Sequence, residues 1–271
     1  MTVEEETEIT WQPAPIKPTL ANNEVHVWQA SLTQPDAVID ALWPTLAQNE
    51  QERALRFHFD EHRRAYTVGR GLLRRLLGLY LKCEADEVQF GYTDYNKPFL
   101  ALPIAGLGTT GSGITASNDP LSREFRFNLS HSGIAVLYAF SYGRELGVDV
   151  EFIKPNFDYL GVAEGFFSEA ERAMLTALPV ADQPQGFFNC WTRKEAYIKA
   201  HGEGLSLPLD QFDVTLRPGD EAKLLATRPD PTEADQWSLR ALPMQQDYAA
   251  AIAVEGNAEW QLSAFKMWPQ A

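Results

Sequence analysis

Two short stretches about forty residues apart hold the side chains best placed for chemistry: GVDVE at residues 147–151 and WTRKEAYIKAHGEGLSLPLD at residues 191–210. Strict alternation in the first puts Val148, Val150 and Phe152 on one face of a strand and Asp149 and Glu151 on the other. Two neighbouring carboxylates repel unless a cation joins them. In the second stretch a helical repeat sets Trp191, Glu195 and Lys199 four residues apart on one face, which brings a third acid within a turn of a base. This chemistry is that of a hard-metal site with a phosphate-facing lysine. Magnesium suits it better than calcium or zinc, because it takes oxygen ligands, tolerates few protein carboxylates and keeps waters for substrate phosphates.

Each half also has a plain structural reading. A D-x-E pair is what the solvated face of a half-buried strand shows. Glu before Lys at i, i+4 is a common surface helix pair, worth about 0.3–0.5 kcal/mol. What favours chemistry is their pairing, together with Trp191 and Tyr197 in the helix and the loop between Gly202 and Gly204 that follows it. Glycine there allows a backbone to approach a ligand, or caps the helix.

Further candidates lie upstream. Ser130 and His131 stand in NLSHSG ahead of a strand. Adjacency in sequence does not make a nucleophile and its base, but a histidine at a strand entry can donate to a phosphate, with the serine hydroxyl beside it. Arginines 53, 56, 63, 64, 70, 74 and 75 stand out in an acidic chain. Most are expected on a solvated helix face or paired with Glu50, Glu52 and Glu61. One or two could clamp a phosphate, and Lys97 in the YNKP turn could serve the same ligand.

The elements that must position these residues read as two lobes. A strand is expected at residues 25–30, a short helix at 35–46, and two helices over 49–81 with a turn near 57–60. Residues 134–142 and the GVDVE strand look like a hairpin. Ser168 and Glu171 form a capping box ahead of a helix, the Trp191 helix follows, and strands are expected near 212–216, 237–241 and 248–254. The expected organisation is a poorly ordered arm at 1–22, an N-terminal lobe at 23–143 carrying a flexible Gly/Ser/Thr-rich insertion at 104–124, and a C-terminal lobe at 144–271.

Composition narrows the classes. The chain has 271 residues and a net charge of −14, which argues against a nucleic-acid coat protein, since such binding draws on phosphate neutralisation. No run of eighteen apolar residues would cross a bilayer, and the acidic, proline-rich start lacks the pattern of a signal peptide. With Cys83 and Cys190 alone there is no disulfide framework. The expectation is a cytoplasmic protein, acting as a monomer, with neither nucleic acid nor membrane as partner.

FNLSHSG, GVDVE, FFSEAE and WTRKEAYIKAHGEGL, in this order and spacing, resemble the Sfp-type 4′-phosphopantetheinyl transferases, and the likeness runs from about residue 49 to 214, weakening through the insertion. The resemblance implies an α/β (α+β) fold of two similar lobes related by a pseudo-twofold axis. It implies Mg²⁺ as cofactor, coenzyme A as co-substrate, and an acyl or peptidyl carrier protein as partner, whose serine receives the phosphopantetheine. By motif it makes Asp149, Glu151 and Glu195 the metal site and Lys199 the catalytic lysine. Ser130, His131, Lys97 and Arg53 become coenzyme A contacts, and Glu195 becomes the candidate base. The chain departs from the pattern at Ala65, where some relatives carry an arginine. Two other readings share parts of the pattern: a magnesium-dependent nucleotide pyrophosphohydrolase and an inactive carrier-binding module.

Overall fold

The computed structural model describes residues 9–101, 125–228, 230–257 and 260–267. The insertion expected at 104–124 lies outside the described residues, as do residues 1–8 of the expected arm.

The first lobe opens with β1 (Trp11–Pro13) and β2 (Glu24–Ser31), then α1 (Asp36–Leu42), α2 (Gln48–Leu55) and α3 (Asp60–Leu81). A two-stranded ribbon, β3 (Phe90–Tyr92) with β4 (Pro98–Leu100), precedes the hairpin of β5 (Phe125–Ser132) and β6 (Ala135–Tyr142). In α3 the side chains of Val68, Leu72, Leu73, Leu76, Leu77 and Tyr80 recur at helical spacing and are buried against the sheet. The expected break before it is present, with Asp60 and Glu61 in the first turn of α3 complementing the helix dipole.

The second lobe begins with β7 (Leu146–Phe152), followed by α4 (Tyr159–Phe166), α5 (Glu169–Thr176) and α6 (Gln183–His201). It continues with β8 (Phe212–Val214), β9 (Leu224–Thr227), β10 (Trp237–Ala241) and β11 (Tyr248–Glu255), and the described chain ends in β12 (Gln261–Lys266). The capping box is formed: Ser168 Oγ accepts from Glu171 N, and Glu171 Oε2 accepts from Ser168 N.

The twofold relation is visible in the topology. In the first lobe a strand (β2) leads to a long helix (α3) and then to a hairpin whose second strand pairs antiparallel with the opening strand, in the order β2-β6-β5. The second lobe repeats this as β7, α6 and the β10–β11 hairpin, ordered β7-β11-β10. The sheets pack face to face through Val25, Val27, Leu137, Val148, Val150 and Ile252, with one long helix on each outer side.

Three expectations are corrected. Residues 134–142 and the GVDVE strand do not pair with each other: both edges of β6 are taken, by β2 and β5, so the chain crosses to the other sheet and β7 pairs with β11. The arm contains β1, which pairs in parallel with β12. The C-terminal lobe does not keep its last strand, because β12 returns to the first sheet and covers the otherwise open edge of β2.

Candidate active site

Alternation in β7 gives the strand two faces with different tasks. Leu146, Val148 and Val150 enter the core between the sheets, while Gly147, Asp149 and Glu151 face α6. Gly147 makes this possible: a Cβ there would run into the Ala196 carbonyl and the Ala200 amide, so the strand can lie directly against the helix only where a side chain is missing. The helix then carries Glu195 and Lys199 over the acidic strand positions.

The cluster centres on Asp149, which is 2% exposed. Its Oδ1 accepts from Ser130 Oγ at 2.7 Å and from Lys199 Nζ at 2.5 Å, and Lys199 Nζ also donates to Ser130 Oγ at 3.0 Å. Its other oxygen, Oδ2, is buried without a hydrogen-bond partner. Glu151 accepts from Ser132 Oγ at 2.6 Å. Burial raises the Glu151 carboxyl above its ordinary value, with the Asp149 charge adding to the rise against the pull of Ser132 and Lys199. Glu195 moves further: burial first, then the Asp149 charge, push it up against Lys199 to about 7.

The orphaned Oδ2 is an unused oxygen donor beside two carboxyls raised by burial first and by neighbouring charge second, and a divalent cation with oxygen preference would satisfy the one and favour the ionised form of the others. The donor set therefore fits magnesium. It is not a closed cage, since among the described residues no three His, Cys, Asp or Glu side chains are gathered closely enough to hold a metal by themselves.

The remaining sequence candidates fall in different places. Ser130 is inside the cluster and buried, whereas His131 next to it is exposed. Lys97 reaches the C-terminal end of α6, where its Nζ donates to Glu145 Oε2 at 2.9 Å and to the Ala200 carbonyl at 2.8 Å. Arg53 is exposed on α2 with its guanidinium 5.4 Å from the centre of the Tyr66 ring. Of the other arginines, Arg70 and Arg74 both grip the buried Glu50 and lock α2 to α3, and Arg64 pairs with Asp36 at 2.6 Å. These three are structural.

Sequence reasoning missed several residues. Lys194 is fully buried on the far side of α6, where Nζ meets Glu171 Oε2 at 2.8 Å and donates to the Leu209 and Phe212 carbonyls, each at 2.6 Å. All three ammonium hydrogens are used. A second acceptor oxygen, Glu171 Oε1, holds Val214 N, so the pair ties α5, α6 and β8 together and fixes how α6 is rotated above β7. The apolar neighbours of Lys194 in the helix were the available signal. Asn128 and Ser132 could have been found from their alternation with Ser130 in NLSHS.

Both halves of the chain match known proteins. Residues 145–253 match the 4′-phosphopantetheinyl transferase superfamily, and residues 26–142 match the N-terminal region of 4′-phosphopantetheinyl transferases. The sequence is 38% identical to the 4′-phosphopantetheinyl transferase HetI of Nostoc over 252 residues, covering 93% of this chain and 96% of the relative. It is 31% identical to the 4′-phosphopantetheinyl transferase Sfp of Bacillus subtilis over 172 residues, 63% of this chain and 66% of that one.

Proposed function

The chain belongs to the 4′-phosphopantetheinyl transferase superfamily, and from that we propose that it transfers 4′-phosphopantetheine from coenzyme A to a serine hydroxyl of an apo acyl or peptidyl carrier protein, releasing adenosine 3′,5′-bisphosphate. The observation that carries the site assignment is the Asp149–Ser130–Lys199 cluster with Glu195 beside it at about 7.

In this reading Asp149, Glu151 and Glu195 would hold Mg²⁺, which would neutralise charge on the pyrophosphate. Glu195 is the base. Its carboxylate takes the proton of the carrier serine. The serine oxygen forms its bond to the β-phosphorus as the bond to the bridging oxygen of the 3′,5′-bisphosphate breaks. Lys199 carries the charge that returns to that oxygen, or donates a proton to it. Ser130 holds the Lys199 ammonium in place between these duties. Lys97, His131 and Arg53 are proposed contacts of coenzyme A. Because every one of these groups comes from a single chain, the proposal includes a monomer. Cys83 and Cys190 are free, as a reducing cytoplasm keeps them, and among the described residues no helix is long and apolar enough to cross a membrane.

Mass spectrometry of apo-carriers from fatty-acid, polyketide and peptide-synthetase systems, each incubated with the chain, coenzyme A and Mg²⁺, tests the reading. A gain of one phosphopantetheine on the carrier serine is expected. An unmodified carrier with hydrolysed coenzyme A would mean a pyrophosphohydrolase, and carrier binding with no product an inactive module. Glu195→Gln turning over at the unaltered rate would remove the base assignment.

A further inference from the structure

β5 belongs to the first lobe and β7 to the second, and the two run side by side as the facing edges of separate sheets with no backbone ladder between them. Side chains of β5 make the connection. Asn128 Oδ1 accepts from Val148 N at 3.1 Å, and Ser132 Oγ accepts from Phe152 N at 3.1 Å. Asn128, Ser130 and Ser132 alternate along β5, so all three project from one face of the strand. The outer two pin backbone amides, while the middle one is turned into the Asp149–Lys199 cluster.

Ser132 does more than pin. Its lone pairs take the Phe152 amide, and its single proton goes to Glu151 Oε2 at 2.6 Å. One hydroxyl thus fixes the strand and the carboxylate it carries. Just beyond it, the turn at Gly133 is fastened to β11 by Ile134 N donating to Tyr248 Oη at 3.2 Å, and Tyr248 pairs with Phe152. Gly133 has φ +56°, and a Cβ there would press on the Tyr248 hydroxyl, so this end of the pinning admits little else.

We propose that Asn128 and Ser132 are positioning residues that set the register of β5 against β7 across the lobe boundary, and that Ser132 also orients Glu151 toward the metal position. The proposal rests on the reading of Asp149 and Glu151 as magnesium ligands. Groups that hold a ligand in orientation typically change metal affinity about 10–100-fold when removed.

The full chain and its Ser132→Ala, Ser132→Thr and Asn128→Ala variants are compared by Mn²⁺ binding, read from the loss of the free-ion EPR signal, and by amide exchange at Val148 and Phe152. Ser132→Ala is expected to speed exchange at Phe152 and raise the Mn²⁺ half-saturation concentration about tenfold. Ser132→Thr, which keeps the hydroxyl, restores both. Asn128→Ala speeds exchange at Val148 and weakens Mn²⁺ by a smaller factor. Faster exchange with unchanged Mn²⁺ binding overturns the proposal, as does failure of threonine to restore. If Ser132→Ala does not fold, the Asn128→Ala result decides by the same criteria. A wild-type chain that binds no Mn²⁺ overturns the metal reading itself and this proposal with it, whereas variants that match a Mn²⁺-binding wild type overturn the positioning role alone.

Discussion

Gly147 lies so close beneath Ala196 that a β-carbon on the strand residue would meet the helix carbonyl directly. Both partners are backbone, so neither can swing aside. Gly147→Ala therefore has to lift α6 from β7, and overpacking of this kind costs about 1–3 kcal/mol. Glu195 and Lys199 ride on the displaced helix. We expect lower stability in denaturant unfolding and a loss of transfer rate on the order of 10²-fold, since a misplacement near 1 Å is enough for that. A variant with the same stability and turnover would contradict the close approach.

The raised Glu195 carboxyl gives a second prediction, for the metal-free protein. Its value moves from the ordinary 4.5 to about 7 in the fold, so between these limits the native state binds the proton more tightly than the unfolded chain. This contribution is complete below about 4.5 and is lost as pH rises through about 7. Divalent cations need the ionised form, so their affinity should fall as pH drops below about 7. Thermal melts and Mn²⁺ titrations across that range should show metal raising Tm most on the alkaline side, and Glu195→Gln should flatten both trends.

How much of this could be read from the sequence depended on the range of the interactions. Alternation in GVDVE correctly separated Val148 and Val150 from Asp149 and Glu151, because a strand face is decided by neighbours two residues away. The Trp191–Glu195–Lys199 face was legible for the same reason, one helical turn at a time. By contrast, β6 and β7 are adjacent in sequence and both look like strands, yet pairing between them depends on whether β6 has a free edge. That was decided by β2, more than a hundred residues earlier. Lys97 illustrates the limit for side chains: its turn was recognisable, but its acceptors, Glu145 and Ala200, come from the other lobe.

Lys194 and Glu171 form an ion pair with side-chain exposures of 0% and 1%, and both are saturated with further hydrogen bonds. Removing one partner leaves the other charge buried without compensation, which costs about 3–5 kcal/mol. Lys194→Met and Glu171→Gln are each expected to destabilise strongly in urea unfolding. The double variant should be less damaged than the sum of the two, since it strands no charge. Additive losses would mean that the two side chains act independently.

Lys97 and Glu145 yield a prediction that separates folding from ligand binding. Burial alone would raise the Glu145 carboxyl, but Lys97 and then Arg126 outweigh it and hold the group below its ordinary 4.5. A depressed carboxyl stabilises the fold above its unfolded value, and that contribution disappears as pH falls through the lower folded value. Lys97→Met removes the larger of the two opposing charges, so its acid-unfolding midpoint should move to higher pH. With Glu145 side-chain exposure at 36%, the pair is worth about 0.2–1 kcal/mol at neutral pH, and the variant should remain folded there. Its ammonium also has a third hydrogen beyond those given to Glu145 and Ala200, available to a phosphate. If coenzyme A takes that hydrogen, Lys97→Met raises KM for coenzyme A while Glu145→Gln, which keeps the lysine, does not. Equal KM changes in both variants would assign Lys97 to holding the β3–β4 ribbon against α6 and nothing more.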